Sequence, residues 1–194
     1  MKNLLSGLPD MLIFFVLYGF LIIGIYITVK LLKHLGDKSA KNTMALFITL
    51  LFNALNFYII YDLMTVSPQI SSGNGNPFIP YIFISFLLFI FLCIVLSKRI
   101  FDTLLKRNIL VSLLILSIAL FLGYLSFIFQ LDFISMIKSK INYPINNWWN
   151  WWKDAHLNFL YFNSSTFLFG ISISGSIAGI SSLIKQKVLK ANAQ

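Results

Sequence analysis

His156 stands two residues after Asp154 and follows closely on the chain's four tryptophans, Trp148, Trp149, Trp151 and Trp152. An imidazole beside a carboxylate can pass a proton near neutral pH or help bind a cation, and Asp62 or Asp132 could join the pair in space. No fixed motif requires these residues to meet. The tryptophans have a simpler use: each ring offers a broad apolar body and one polar N–H, which suits the level where hydrocarbon gives way to headgroups. They are expected to anchor the chain at a membrane surface, with docking of a partner, lipid or ligand around Asp154 and His156 as the second reading.

Other chemistry is sparse. Cys93 is the only cysteine, which excludes an intrachain disulfide and a cysteine-based zinc site. The chain has no glutamate, no zincin motif and no phosphate loop, since Gly73 and Gly75 lack the Lys-Ser/Thr ending and the strand–helix context of one. The remaining histidine, His34, falls on the opposite side of the topology derived below, so the two cannot share a metal or a haem. No cofactor or metal is expected, although the composition leaves room for bound lipid. A catalytic serine would lack a histidine partner within any span.

Two asparagines are more informative. Asn53 and Asn56 lie one turn apart on one face of an apolar helix, and their amides require partners once removed from water. They are expected to face other helices as hydrogen-bonding glue, with contact to a substrate or ion as the alternative.

The elements that must hold these residues follow from composition. Of 194 residues 58% are apolar and 11% charged, a balance that a small soluble domain could not hide from water. Mean hydropathy is +0.84. Five stretches, 11–29, 43–61, 77–97, 108–130 and 157–184, lack Lys, Arg, Asp and Glu for about the 20 residues that a bilayer crossing needs. The expected fold is therefore all-α: one polytopic membrane domain over residues 1–194, with five transmembrane helices and an interfacial Trp-rich segment between the fourth and fifth. Pro9 and Asp10 suit the start of the first helix. Residues 101–105 are expected as a short turn near the headgroups. Phe133, Met136, Ile137 and Ile141 are expected on a helix lying along the interface.

The fifth span carries the sequence's clearest packing signal. Gly170, Ser172, Ser174, Gly175, Ser176, Ala178 and Gly179 place small side chains around much of one helix, and Ala119 and Gly123 repeat the four-residue spacing on the fourth span. Such residues let helix backbones approach closely inside a bilayer. A narrow pore or a mobile helix would use the same residues.

Charge sets the expected orientation. The basic residues at 30–41, 98–107 and 185–190 fall on one side of a five-span chain, while Lys2, Lys138, Lys140 and Lys153 fall on the other. The positive-inside rule then places the N-terminus outside and the C-terminus in the cytoplasm, in a bacterial cytoplasmic membrane. The net charge of +9 belongs to these connections and calls for phospholipid headgroups; no nucleic acid is expected as a partner.

These features favour a non-enzymatic subunit of a larger membrane complex concerned with transport, secretion or respiration. Its partners would be other membrane subunits and phospholipid, with room for oligomerisation. A small channel or transporter is the first alternative. A lipid-binding or lipid-modifying protein is the second, and an enzyme of that kind would use Asp154 and His156.

Overall fold

A computed structural model of the protein describes residues 10–33, 40–70, 75–145 and 147–192. The expectations placed on Lys2, Pro9, His34, Lys38 and Gly73 lie outside the described residues. The described part is all-α. Helix α1 is Asp10–Lys33, α2 is Ala40–Leu63, α3 is Ile79–Leu104 and α4 is Ile109–Lys138; then come the short α5, Trp148–Lys153, a 3-10 turn at Asn158–Leu160, and α6, Ser164–Ala191.

Among the described residues four helices, not five, are long and apolar enough to cross a membrane: Thr43–Leu63 within α2, α3, α4 and the segment Asn158–Ala191 that contains α6. The expected first span is the exception. Helix α1 has 24 residues, and the apolar run among its described residues is Phe15–Lys30.

Three element boundaries also differ from expectation, each for a local reason. Helix α3 does not stop before residues 101–105 but carries 101–104 in its last turn, and α4 continues through Phe133, Met136 and Ile137 to Lys138 instead of yielding to a separate flat helix. From Tyr81 to Leu104, and from Tyr124 to Lys138, no glycine or proline interrupts the backbone. A helix once nucleated keeps gaining one hydrogen bond per added residue. The third difference lies at α6, which starts at Ser164 and not at 157. Leu157, with φ −83° and ψ 53°, is outside helical geometry and leads into the 3-10 turn, while His156 before it has a left-handed φ of 52°.

The chain divides into two compact units. One comprises Met1–Phe89 with Phe133–Asn163, the other Ile90–Asp132 with Ser164–Gln194, so the boundaries fall within α3 and α4. In the first unit Phe20 stacks on Phe52 with ring centroids 4.6 Å apart, and the Phe52 ring occupies the space that a side chain at Gly24 would need. Phe57 meets both Phe89 and Phe162, at 4.7 and 4.9 Å.

The second unit is organised by α4 lying against α6. A methyl group added to Gly175 would come within 3.0 Å of Ala119 Cβ, and one on Gly179 within 2.9 Å of Leu116 Cβ. Gly123 faces Ser172 at the same seam, where the corresponding distance is 3.4 Å. Polar ties flank this seam: the Ser112 and Ser182 hydroxyls are 3.0 Å apart, and the Gln186 amide donates to Leu104 O at 2.9 Å. Both serines are fully buried.

The seam makes a direct prediction. Gly179→Leu and Gly175→Leu must push α4 and α6 apart, at a cost of about 1–3 kcal/mol or more each, since overpacking cannot be relieved against a neighbouring backbone. Gly19→Ala, whose added methyl meets nothing within 4 Å, is the matched control and should leave stability unchanged. Thermal unfolding in mild detergent distinguishes the three variants.

Candidate functional site

The chemistry-bearing residues of the first unit gather in a cap built from the end of α4, helix α5 and the non-helical run 154–163. Helix α5 has six residues and would not stand alone at that length. The Asn147 side chain caps it by accepting from Asn150 N at 3.0 Å. The Tyr161 hydroxyl donates to Trp148 O at 3.2 Å, and the Asn76 amide donates to Trp152 O at 2.9 Å. Beneath lies an apolar core of Ile137, Ala155, Leu157, Phe159 and Leu160, with Phe133, Ile141, Tyr143 and Trp151 packed against it.

A knot of asparagines holds the non-helical run. Asn158, fully buried, donates its amide to Met64 O and accepts from Asn76 Nδ2 at 2.8 Å. Around it Phe159 N donates to Thr65 Oγ1 at 3.1 Å and Val66 N donates to His156 O at 3.2 Å. The connection after α2 and the connection before α6 are thereby fastened to each other at one end of this unit. Backbone groups that no helix satisfies are thus paired by side chains from distant parts of the chain.

The four tryptophans divide in two. Trp148 and Trp149 are exposed, while Trp151 and Trp152 are half-buried. Trp149 meets Trp148 and Trp152 edge to face, at 5.8 and 5.5 Å, so the rings brace one another. Asp154 caps α5 and lies 3.8 Å from the Lys153 amine, both at least two-fifths exposed, an ion pair that adds little to stability.

His156 is buried, and burial holds its imidazole below the ordinary value of 6.5, against the opposing pull of a hydrogen bond to the Gly75 backbone and of the Asp154 carboxylate. Among the described residues no three His, Cys, Asp or Glu side chains come together as a metal would require. Asp132 is exposed at the surface, and Asp62 Oδ2 is buried without a hydrogen-bond partner.

Asn53 and Asn56 are wholly buried in α2. Asn56 Oδ1 accepts from the Tyr81 hydroxyl at 2.6 Å, joining α2 to α3, whereas Asn53 turns its amide to Thr49 O on its own helix at 2.9 Å. Asn53 Oδ1, Asn56 Nδ2 and Thr28 Oγ1, all in this unit, remain buried and unpaired among the described residues.

In the second unit, Ser172, Ser174, Gly175, Ala178 and Gly179 are buried, while Gly170 and Ser176 are half-buried. A groove of about 380 Å³ runs beside the α4–α6 seam. Its floor holds Ala119, Gly123, Ser172 and Ser176, and its walls include Leu120, Tyr124, Phe127, Ile173 and Ile177.

Sequence reasoning missed Asn76, Asn158 and Gln186, whose side chains hydrogen-bond to distant parts of the chain. Each stands singly among loop or helix-end residues, and its partner lies tens of residues away. Asn158 was readable only as a polar residue near the start of a span.

Two predictions follow from the cap. Asn158→Ala removes the buried donor to Met64 O and one of the two acceptors of the Asn76 amide, and should cost about 1–3 kcal/mol, whereas Asn147→Ala should cost about 1 kcal/mol or less. Tryptophan fluorescence during thermal unfolding reads both, because all four rings lie in the cap. The second concerns pH. The folded state binds a proton on His156 more weakly than the unfolded state, so its contribution is complete above pH 6.5 and is lost as the pH falls towards and through the folded value. The melting midpoint should therefore drop between pH 7 and 5, and His156→Asn, which tolerates positive φ, should flatten that dependence.

Comparison with known proteins assigns no relative: no protein-family model matches the chain, and no curated protein and no solved structure does so.

Proposed function

We propose that the chain is a non-enzymatic integral-membrane subunit that receives an apolar helix of a partner subunit along the α4–α6 groove. The observation that carries this reading is the groove's form: small residues on the floor, bulky and exposed residues on the walls. Inside a bilayer, where apolar association gains nothing from leaving water, helices join by close van der Waals fit between such ridges and grooves. Helix α4 supports it further, since only 17% of its apolar window is buried, about half the share of the other candidate spans.

The reading retains five crossings. Helix α1, at 24 residues and about 36 Å, is long enough as a backbone rod to cross beside α2, against which Phe20 and Gly24 pack. With the basic connections gathered on one side, the C-terminal lysines lie in the cytoplasm of a bacterial cell and the Trp-rich cap lies outside. Phospholipid covers the remaining apolar faces. The partner belongs to a transport, secretion or respiratory assembly.

A small channel or transporter is the alternative, and one observation favours it. Three unpaired polar atoms buried in the first unit, on Thr28, Asn53 and Asn56, would each be costly in hydrocarbon and would be satisfied by water or a passing solute.

Ser176→Leu tests the subunit reading without touching the α4–α6 seam, because Ser176 lines the groove and is not among the buried seam residues. A photo-reactive residue at Ile177 should cross-link to a discrete membrane protein, and Ser176→Leu should abolish that product while leaving the melting temperature unchanged. Cross-linking to lipid alone, together with solute flux through the purified protein in liposomes, contradicts the subunit reading and supports the channel.

A further inference from the structure

The cap contains a second apolar feature that the subunit reading does not use. A cavity of about 170 Å³ opens between the start of α3 and helix α5, walled by Ile82, Phe83, Phe86, Trp148, Trp152 and Phe162, with Tyr161 beside them. No polar surface lines it. Cavities of this kind, at around 150 Å³, stay dry and accept a compact apolar guest, so water is not the expected occupant.

Three features say what is. Phe83 and Phe86 at the rim are about half exposed and belong to a helix apolar enough to span a membrane, so the medium at the opening is lipid hydrocarbon. The opposite wall is held in place: Tyr161 is bonded to Trp148 O, Asn76 to Trp152 O, and Trp149 braces both tryptophans. An opening fixed in this way does not close by side-chain collapse. Immediately after Trp152 comes Lys153, whose half-exposed side chain lies 3.8 Å from the Asp154 carboxylate; an ammonium exposed to this degree can also meet a phosphate at the headgroup level.

We propose that this cavity holds a segment of one acyl chain of a membrane phospholipid, whose phosphate lies beside Lys153. The volume suits part of one chain and not a whole lipid, so the lipid is held by its tail at the cap while its second chain stays in the bilayer. A lipid held there fills the space between α3 and α5 and adds contact area to the exposed Trp148.

The four tryptophans supply the reporter. The full chain carrying Trp149→Phe and Trp151→Phe leaves Trp148 and Trp152, both on the cavity wall, as its only fluorophores. It is reconstituted into phosphatidylcholine vesicles containing a small fraction of phosphatidylcholine brominated along the acyl chain. Occupancy predicts quenching several-fold above that of random bilayer contact, lowered towards the random level by Phe86→Ala. Lys153→Gln should weaken it less. Quenching no greater than random contact overturns the proposal, as does excess quenching produced by a brominated fatty acid but not by the brominated phospholipid. Should Phe86→Ala fail to fold, the comparison of brominated phospholipid with brominated fatty acid on the unaltered cavity still decides the matter.

Discussion

The cap depends on Asn158. Between α5 and α6 the chain runs through residues 154–163, helical only in the 3-10 turn at Asn158–Leu160, and buried backbone polar groups there need partners. A helix would satisfy those groups internally. A loop cannot. The Asn158 side chain resolves the conflict by donating to Met64 O and accepting from Asn76, which fixes the neighbouring bonds of Phe159 to Thr65 and of Val66 to His156. Once these are made, Leu157, Phe159 and Leu160 are buried against Ile137, and helix α5 has a base on which to rest its tryptophans. The left-handed backbone at His156 is tolerated because the surrounding bonds over-determine it.

The second unit answers the same bilayer constraint differently. Its elements are all helical, so backbone satisfaction is automatic and specificity has to come from side-chain shape. Small residues on α6 allow it to lie against α4 at distances where a methyl group would collide. At the end of this seam Gln186 divides its amide between Leu104 O, Arg107 O and the hydroxyls of Ser112 and Ser182, so that it ties α6 to the last residue of α3, to the connection after it and to α4. A groove and an outward apolar face remain where packing within the chain ends.

Much of this was legible in the sequence. Long apolar runs gave the all-α class and the positions of α2, α3 and α4, because hydrocarbon leaves the backbone few other choices. The glycines at 175 and 179 announced close approach, and the structure brings Leu116 and Ala119 to them. What was not legible depended on pairing across the chain. The start of helix α6 at Ser164 instead of 157 depends on the bonds of Asn158 and His156, whose partners lie more than 80 positions earlier. The continuation of α3 and α4 past their expected ends was readable in principle, from the absence of glycine and proline, but the charges at 98–107 and 138–140 drew the boundaries inward. Whether further carboxylates join His156 was not legible either, because no motif fixes their spacing; among the described residues no three such groups come together.

Amide hydrogen exchange of the intact chain in lipid nanodiscs tests most directly whether the Asn158 knot holds the cap. The Val66 and Phe159 amides, which lie outside regular helix and are bonded to His156 O and Thr65 Oγ1, are predicted to exchange as slowly as the interior of α3. Exchange at those two amides as fast as in an unfolded peptide, while α3 stays protected, would contradict the account.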